Sequence, residues 1–564
     1  MSDNTGGVVA AWEWWVETSY MGRNISAVHL NAAGVAAWPQ GSVPVCDTPG
    51  DDLNPAVVRH GDGFIVVFQT GPYGTSAKAL AYQELDGASG ERRFAPQGVS
   101  LVPVHSGGDG FGTPVPMSGG RTALVWNNGT ATHFRILDNS GTPLPNPDTV
   151  GIVPDTTGLH IELYSGNTSL AQVCPDGSGG FFALENWGGD ESGYEGFLGH
   201  VSSQGQPMNN GRAGLIWEGA DVTDWGTMCV LLSPDSAGGC YVAVQLYYPQ
   251  AGLFVMRLNA DCQRVWNSPV QLDTIIWNQE NETKVITTAD GSCIVAWPSY
   301  SGYRLARVSA AGVKLWTTAV SDYSDWDLPH PKLAGDNQNG AYCTWLESVP
   351  DPSRYQVHAQ HVNAVGAELW PHGGIRVSTR ESWQAQSRPL TDNAGNLIVI
   401  WTDYLSGGSG YDIRAQKISP DNTRLWSDSG RVVCGTTGDQ RNPVVISDVA
   451  GGAYVAWEDD NDGNGKSHIS ATHLNSDGLS GPDPYWVQNE GGIISDTIAN
   501  ANVIPVLSAG EAGSAVLFWQ QDFLQSESSY YDPYIQRIAL SGLAAVRPLS
   551  ELSQSFQPHH ADSL

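Results

Sequence analysis

Four tryptophans precede short apolar runs in four consecutive segments of the chain, each beside a carboxylate or an amide. They lie in TDWGT, IIWNQE, SDWDLP and ESWQAQ, as Trp225, Trp277, Trp326 and Trp383. A flat apolar ring can stack on a sugar face while neighbouring polar groups bond its hydroxyls, and tryptophan also anchors protein interfaces. We therefore predict an aromatic platform for a glycan or a protein partner. The alternative is that each ring folds over the core as a lid.

The stretch EDDNDGNGK at 458–466 offers oxygen ligands at every second residue, Glu458, Asp460, Asp462 and Asn464. Short loops wrap Ca²⁺ with this alternation, and the intervening glycines permit a tight turn. Lys466 follows where a closing acidic residue is needed. The match is partial, so the sequence favours an acidic solvated turn and no cofactor, with a Ca²⁺ loop formed by these four residues as the alternative.

Other chemistry has little support in the sequence. There is no HExxH motif, P-loop or nucleophile elbow, and none of the eight cysteines forms a CxxC pair that would suggest zinc. The formal net charge of −31 disfavours a nucleic-acid partner, because an acidic surface repels phosphates. No apolar run reaches the length of a membrane-spanning helix, and the opening MSDNTGG does not resemble a signal peptide.

An internal repeat of about 56 residues positions these groups. Its clearest marker is a turn residue suited to positive φ. This residue is Gly34, Gly90, Gly141, Gly205, Cys262, Gly312, Gly366, Asn422, Gly478 and Gly542. Ten such repeats account for the whole chain, so we expect residues 1–564 to form one domain.

Each repeat contains four short alternating runs, which we name strands A to D. In the copy at 443–490 these are PVVIS, GAYVAW, ISATHL and a run at YW. This pattern predicts an all-β fold, a β-propeller of ten four-stranded blades. Tryptophans recurring in runs B and D, such as Trp457 and Trp426, are expected to pack between neighbouring units.

The two ends of the chain read as parts of one repeat. The opening SDNTGGVVAAW matches SDVAGGAYVAW at 447–457, and the closing FQPHHADSL matches RNPVVISDV at 441–449. We expect residues 555–562 to supply strand A beside residues 7–12, so that N- and C-terminal strands share one blade and close a single ring. Two smaller propellers are the alternative.

Strand alternation places the B–C and D–A loops on the same side of the fold. The B–C segments add Trp14, Trp15, Tyr404 and Tyr411 to the side that carries the four tryptophans. Function commonly lies on loops held by a rigid scaffold. We therefore expect the partner to bind this loop face.

The repeat resembles those of β-propeller proteins that bacteria secrete or carry on the cell surface, through its DxxGGxxVAW core, its RAQ or ATH segment and its LW pair. The resemblance implies an extracellular or cell-surface location. We expect a non-enzymatic binding or structural protein. One alternative is a carbohydrate-active enzyme, a glycoside hydrolase or a polysaccharide lyase, with its site at the central channel. The other alternative is an architectural subunit of a surface assembly.

Overall fold

The computed structural model describes most of the chain, in segments separated by short gaps. These segments are 7–16, 22–31, 35–75, 77–105, 112–127, 132–144, 159–161, 167–189, 193–208, 214–215, 227–235, 237–246, 252–274, 283–299, 302–322, 331–349, 354–404, 410–460, 467–480, 488–490, 492–493, 505–509, 515–525, 528–539 and 542–543.

The described residues form 39 β-strands and one 3₁₀ turn, Ser118–Gly120. Units 1 to 3 contain β1 Val8–Val16, β2 Gly22–Leu30, β3 Ser42–Cys46; β4 Asp51–His60, β5 Gly63–Gly71, β6 Lys78–Leu85, β7 Val99–His105; β8 Thr113–Pro116, β9 Thr122–Asn127, β10 Thr132–Leu137 and β11 Leu159–Ile161. Units 4 to 6 contain β12 Asn167–Pro175, β13 Phe181–Gly189, β14 Gly193–Val201, β15 Gly214–Leu215; β16 Thr227–Pro234, β17 Cys240–Leu246, β18 Gly252–Leu258, β19 Val270–Asp273; β20 Lys284–Thr287, β21 Cys293–Ser299, β22 Gly302–Val308 and β23 Lys314–Ala319. Units 7 to 10 contain β24 Lys332–Gly335, β25 Ala341–Val349, β26 Arg354–Val362, β27 Ile375–Arg376; β28 Trp383–Thr391, β29 Leu397–Tyr404, β30 Tyr411–Ile418, β31 Arg431–Cys434; β32 Asp439–Ser447, β33 Ala453–Asp460, β34 His468–Leu474, β35 Gly492–Ile493; β36 Val506–Ala509, β37 Ala515–Gln525, β38 Ser528–Ala539 and β39 Gly542–Leu543.

Each unit from the third onward is a separate sheet of four antiparallel strands in chain order. Units 1 and 2 are joined into one seven-stranded sheet by a single parallel bridge between Arg23 and Asp51. The all-β class is confirmed. No helix in the described segments is long and apolar enough to cross a membrane.

The core consists of layers between consecutive sheets. One cluster joins Tyr342 of unit 7 to Val399 of unit 8, and another joins Ile400 of unit 8 to Val455 of unit 9. Strands β16, β20, β24, β28, β32 and β36, the first strands of their sheets, contact one another in sequence. We call the side that they form the first-strand edge.

The two ends of the described chain lie close together, since β1 of unit 1 contacts β38 of unit 10. Residues 555–562, which the sequence places beside 7–12, lie outside the described segments. The predicted shared unit therefore stays a prediction.

A buried aspartate follows the first strand in several units and organises the turn to the second strand. In five units its carboxylate accepts two backbone N–H groups of that turn. It also pairs with a basic side chain of the third strand, as Asp176–His200, Asp235–Arg257, Asp336–His361, Asp392–Lys417 and Asp448–His473. Strands A, B and C are thereby fixed to one another at one end of the sheet.

A tryptophan after the third strand fastens each of several units to the next. Its indole N–H donates a hydrogen bond to a backbone carbonyl in the C–D turn of the next unit. The donor and acceptor residues are Trp38 and Gly87, Trp266 and Ala310, Trp316 and Ala364, Trp370 and Pro420, and Trp426 and Ser476. This confirms the predicted packing between units. The D strand, however, mostly starts several residues after the tryptophan, because the ring must first reach the neighbouring turn.

The marker residue of the repeat has positive φ in eight described turns, including Cys262 at 55° and Asn422 at 70°. Close approach adds a second requirement at four glycines. A Cβ on Gly478 would lie 2.4 Å from the Trp426 ring, and Gly90, Gly312 and Gly366 similarly face Trp38, Trp266 and Trp316. The turn and the tryptophan therefore form one inter-unit contact.

Candidate functional site

Three of the predicted platform residues form one row across unit 8. Trp383 opens β28 and lies opposite Tyr404, the last residue of β29. Tyr404 in turn lies opposite Tyr411, the first residue of β30. Directly opposed residues on neighbouring strands point to the same face of a sheet. The rings of the two tyrosines lie 5.0 Å apart between centroids, so the row is continuous there.

Two further side chains extend this row, and the sequence reasoning missed both. Tyr355 of unit 7 packs edge-on against Trp383 with centroids 5.3 Å apart. The guanidinium of Arg441 in unit 9 lies 4.2 Å from the centroid of the Tyr411 ring, a distance suited to a cation–π contact. We call these five residues the aromatic row.

Tyr355 could have been found from the sequence by comparing equivalent positions of the repeat. Tyr355 pairs with the third residue after Trp345, and Tyr411 pairs with the third residue after Trp401. The two tyrosines are thus the same repeat position in adjacent units. Aligning the third strands on the preceding tryptophan would have identified it.

The aromatic row is accessible and is bordered by charged groups. Trp383 is 40% exposed, so its ring does not serve as a buried lid. The Asp439 carboxylate accepts the Tyr411 amide at 3.0 Å and the Arg441 guanidinium at 2.7 Å. Beside Trp383, Glu381 accepts from Arg376 at 2.7 Å and also pairs with Arg354. Stacking surfaces and hydrogen-bonding groups therefore lie side by side.

The remaining predicted platform residues are not brought to this row by the described structure. Trp14 and Trp15 belong to β1 rather than to a loop, because the β1–β2 ladder continues to Val16. Trp14 is half-buried, and its indole N–H is buried without a hydrogen-bond partner among the described residues. Trp225, Trp277 and Trp326 lie outside the described segments.

The predicted Ca²⁺ ligands divide between a strand and an undescribed segment. Glu458 and Asp460 are the sixth and last residues of β33, which corrects their placement in a turn. Glu458 is only 3% exposed, and burial raises the pKa of its carboxyl group. Asp462 and Asn464 lie outside the described segments. Within those segments, no three His, Cys, Asp or Glu side chains are grouped as metal ligands.

A second candidate site lies at the first-strand edge. A cavity of about 300 Å³ is lined by residues of β20, β24, β28 and β32. Its ionisable side chains are Lys284, Lys332 and Arg388, and its apolar ones include Leu333 and Val445. The sequence reasoning also missed these three basic residues.

Comparisons with known proteins give structural similarities only. No protein-family model matches the chain, and no curated protein matches it. A solved endo-arabinase from Bacteroides thetaiotaomicron is similar over 46% of this chain and 93% of its own, with 12% identity and a TM-score of 0.28. A polysaccharide lyase described as an ulvan lyase covers 90% of this chain and 98% of its own, at 10% identity and a TM-score of 0.33. A eukaryotic initiation factor covers 86% and 98%, at 10% identity and a TM-score of 0.40.

Proposed function

We propose that this protein binds carbohydrate through the aromatic row, which is centred on unit 8. The observation that carries the proposal is the alignment of Trp383, Tyr404 and Tyr411 on three adjacent strands, with Trp383 exposed. Rigid strands hold the rings at fixed spacing, so little conformational entropy is lost when a ligand stacks on them.

We also propose that the ten units close into a single β-propeller. The contact between β1 and β38 supports closure, and so does the sequence of contacts among first strands. In such a ring the first-strand edge would border a central channel, and the aromatic row would lie on one rim. An extracellular or cell-surface location belongs to the same proposal, and fractionation of the source cells tests it.

A glycan array followed by calorimetry tests the binding proposal. Trp383→Ala should weaken binding of the best oligosaccharide by about 30-fold, since truncating a central aromatic anchor costs about 2 kcal/mol. Tyr73→Ala is the matched control, because Tyr73 is an aromatic residue of similar exposure, 44%, in unit 2. Equal binding by the two variants would refute the proposal, and so would an array without any binding.

The second candidate function is a carbohydrate-active enzyme, a hydrolase or a lyase, acting at the first-strand edge. The observation that favours it is the cavity with its ionisable lining. Burial and the charges of Lys284 and Arg388 lower the pKa of Lys332, which makes its ammonium group easier to deprotonate than that of an exposed lysine.

Incubation with a polysaccharide panel tests this second function. Hydrolysis would release new reducing ends, and elimination would produce an unsaturated, ultraviolet-absorbing sugar. Lys332→Met should abolish either product, whereas Trp383→Ala should mainly raise KM. Turnover that is unchanged in Lys332→Met would exclude the cavity as the active site.

A further inference from the structure

The three basic residues of the cavity occupy one position of the repeat in three consecutive units. Each basic residue lies on the first strand of its unit, directly opposite a residue of the second strand: Lys284 opposite Ala296, Lys332 opposite Thr344 and Arg388 opposite Ile400. Each of those partners directly precedes the tryptophan of its second strand, Trp297, Trp345 and Trp401. The three cations therefore lie at the same level of β20, β24 and β28.

The scaffold does not require a cation at this level. The corresponding residue is Ala56 in unit 2, opposite Val67, and Val444 in unit 9, opposite Ala456. The three basic residues are thus a local departure from the repeat. The chain has only 27 lysines and arginines against 58 acidic residues, which makes their convergence in one cavity more notable.

The described structure leaves much of this positive charge without an acidic partner. By contrast, the buried lysines Lys78 and Lys417 pair with Asp51 at 3.2 Å and with Asp392 at 2.7 Å. Among the described residues, no carboxylate forms an ion pair with Lys332 or Arg388. Burial lowers the pKa of Arg388, and burial together with the two neighbouring cations lowers that of Lys332. Like charges held together in a partly dehydrated cavity repel one another, and a bound anion would relieve that repulsion.

We propose that the cavity between β20, β24, β28 and β32 is an anion-binding site, in which Lys284, Lys332 and Arg388 together hold an oxyanion group. Guanidinium and ammonium groups both donate charge-assisted hydrogen bonds to carboxylate, sulfate or phosphate oxygens. Leu333 and Val445 provide apolar contact for the body that carries the anion. The ligand is either an acidic sugar of a glycan or a free oxyanion. The site does not depend on the aromatic row.

Calorimetry with the full chain at constant ionic strength tests the site. The probes are inorganic phosphate, inorganic sulfate, an oligosaccharide of uronic acids and a neutral oligosaccharide of equal length. Lys332→Gln and Arg388→Gln should each weaken binding of the best anion by about tenfold, the effect of losing one charge-assisted hydrogen bond. Lys314→Gln is the matched control, since it removes the same charge from the exposed last strand of unit 6.

The outcomes separate the two anion sources and the two proposals. Tighter binding of the uronic-acid oligosaccharide identifies an acidic glycan, and tighter binding of phosphate or sulfate identifies a free oxyanion. Lys332→Arg should retain binding, which excludes a simple folding defect. Trp383→Ala should leave phosphate affinity unchanged even if glycan binding fails. The inference is overturned if no anion binds the native protein, or if the Lys332→Gln/Arg388→Gln double variant binds as tightly as the native protein.

Discussion

Gly478→Ala tests whether the marker turn of the repeat is a contact between units or only a local turn. Gly478 has φ of +70°, and a Cβ there would lie 2.4 Å from the buried Trp426 ring of the preceding unit. Gly291 provides the matched control. Its φ is +78°, and its amide donates to the carbonyl three residues earlier, as the amide of Gly478 does. A Cβ added at Gly291 would meet nothing within 4 Å.

The two substitutions share one cost and differ in another. An L-residue with left-handed backbone conformation loses about 1–2 kcal/mol of stability, and both variants carry this loss. Gly478→Ala also forces the turn away from Trp426, which is 1% exposed and donates its indole N–H to Ser476 at 2.9 Å. Overpacking of this kind costs about 1–3 kcal/mol. We therefore expect Gly478→Ala to lose about 2–5 kcal/mol and Gly291→Ala about 1–2 kcal/mol.

Urea denaturation followed by far-ultraviolet circular dichroism measures this difference, with hydrogen exchange of peptides in 467–480 as a local readout. Trp426→Phe provides a further check, because the smaller ring should cost less in the Gly478→Ala background than in the native protein. Equal losses for the two glycine variants, or an additive double variant, would show that the turn does not press on the neighbouring unit.

Two further predictions concern buried carboxylates. Asp448→Ala should lower the free energy of unfolding by about 3 kcal/mol, because it removes the acceptor of two backbone amides and the partner of His473. Asp477→Ala, at an exposed turn of the same unit, is the control and should be nearly neutral. Chemical denaturation of both variants measures the difference. Burial raises the pKa of Asp52 from 3.8 to about 6, so the folded protein binds this proton more tightly than the unfolded chain. The protonated Asp52 therefore contributes about 3 kcal/mol to the free energy of unfolding below pH 4, and this contribution is lost as pH rises through 6. Asp52→Asn should abolish that pH dependence. Unfolding free energies of the variant and the native protein, compared across this window, test the prediction.

The period of the fold was predictable because physical constraints repeat with it. A positive φ and a tryptophan contact coincide at Gly90, Gly312, Gly366 and Gly478, which restricts those positions to glycine. The buried aspartate of the A–B turn recurs for a similar reason, since it satisfies two amides and a basic side chain together. Closure of the ring depends on residues 555–562, so it stays a prediction.

The candidate sites were harder to predict because they depend on register between strands. Trp383, Tyr404 and Tyr411 are separated in sequence by loops of variable length, and only the pairing of β28, β29 and β30 shows that they are neighbours. Lys332 lies in β24, which has four residues and little recognisable pattern. Its equivalence to Arg388 appears only when both are referred to the tryptophan of the adjoining strand.

A repeat scaffold separates structural from functional residues in a way that an ordinary domain does not. Where a side chain recurs in most units, as the inter-unit tryptophans and the turn aspartates do, its contacts explain its presence. Among the described first strands, Lys284, Lys332 and Arg388 mark three consecutive units, at a level where Ala56 and Val444 serve the same strand position elsewhere. Since packing does not demand these cations and their mutual repulsion opposes folding, a role in ligand binding is the more economical reason for their presence. The same reasoning applies to Trp383 of the aromatic row, because the first strand of unit 9 begins with Asp439 at the same position and so does not need a tryptophan there.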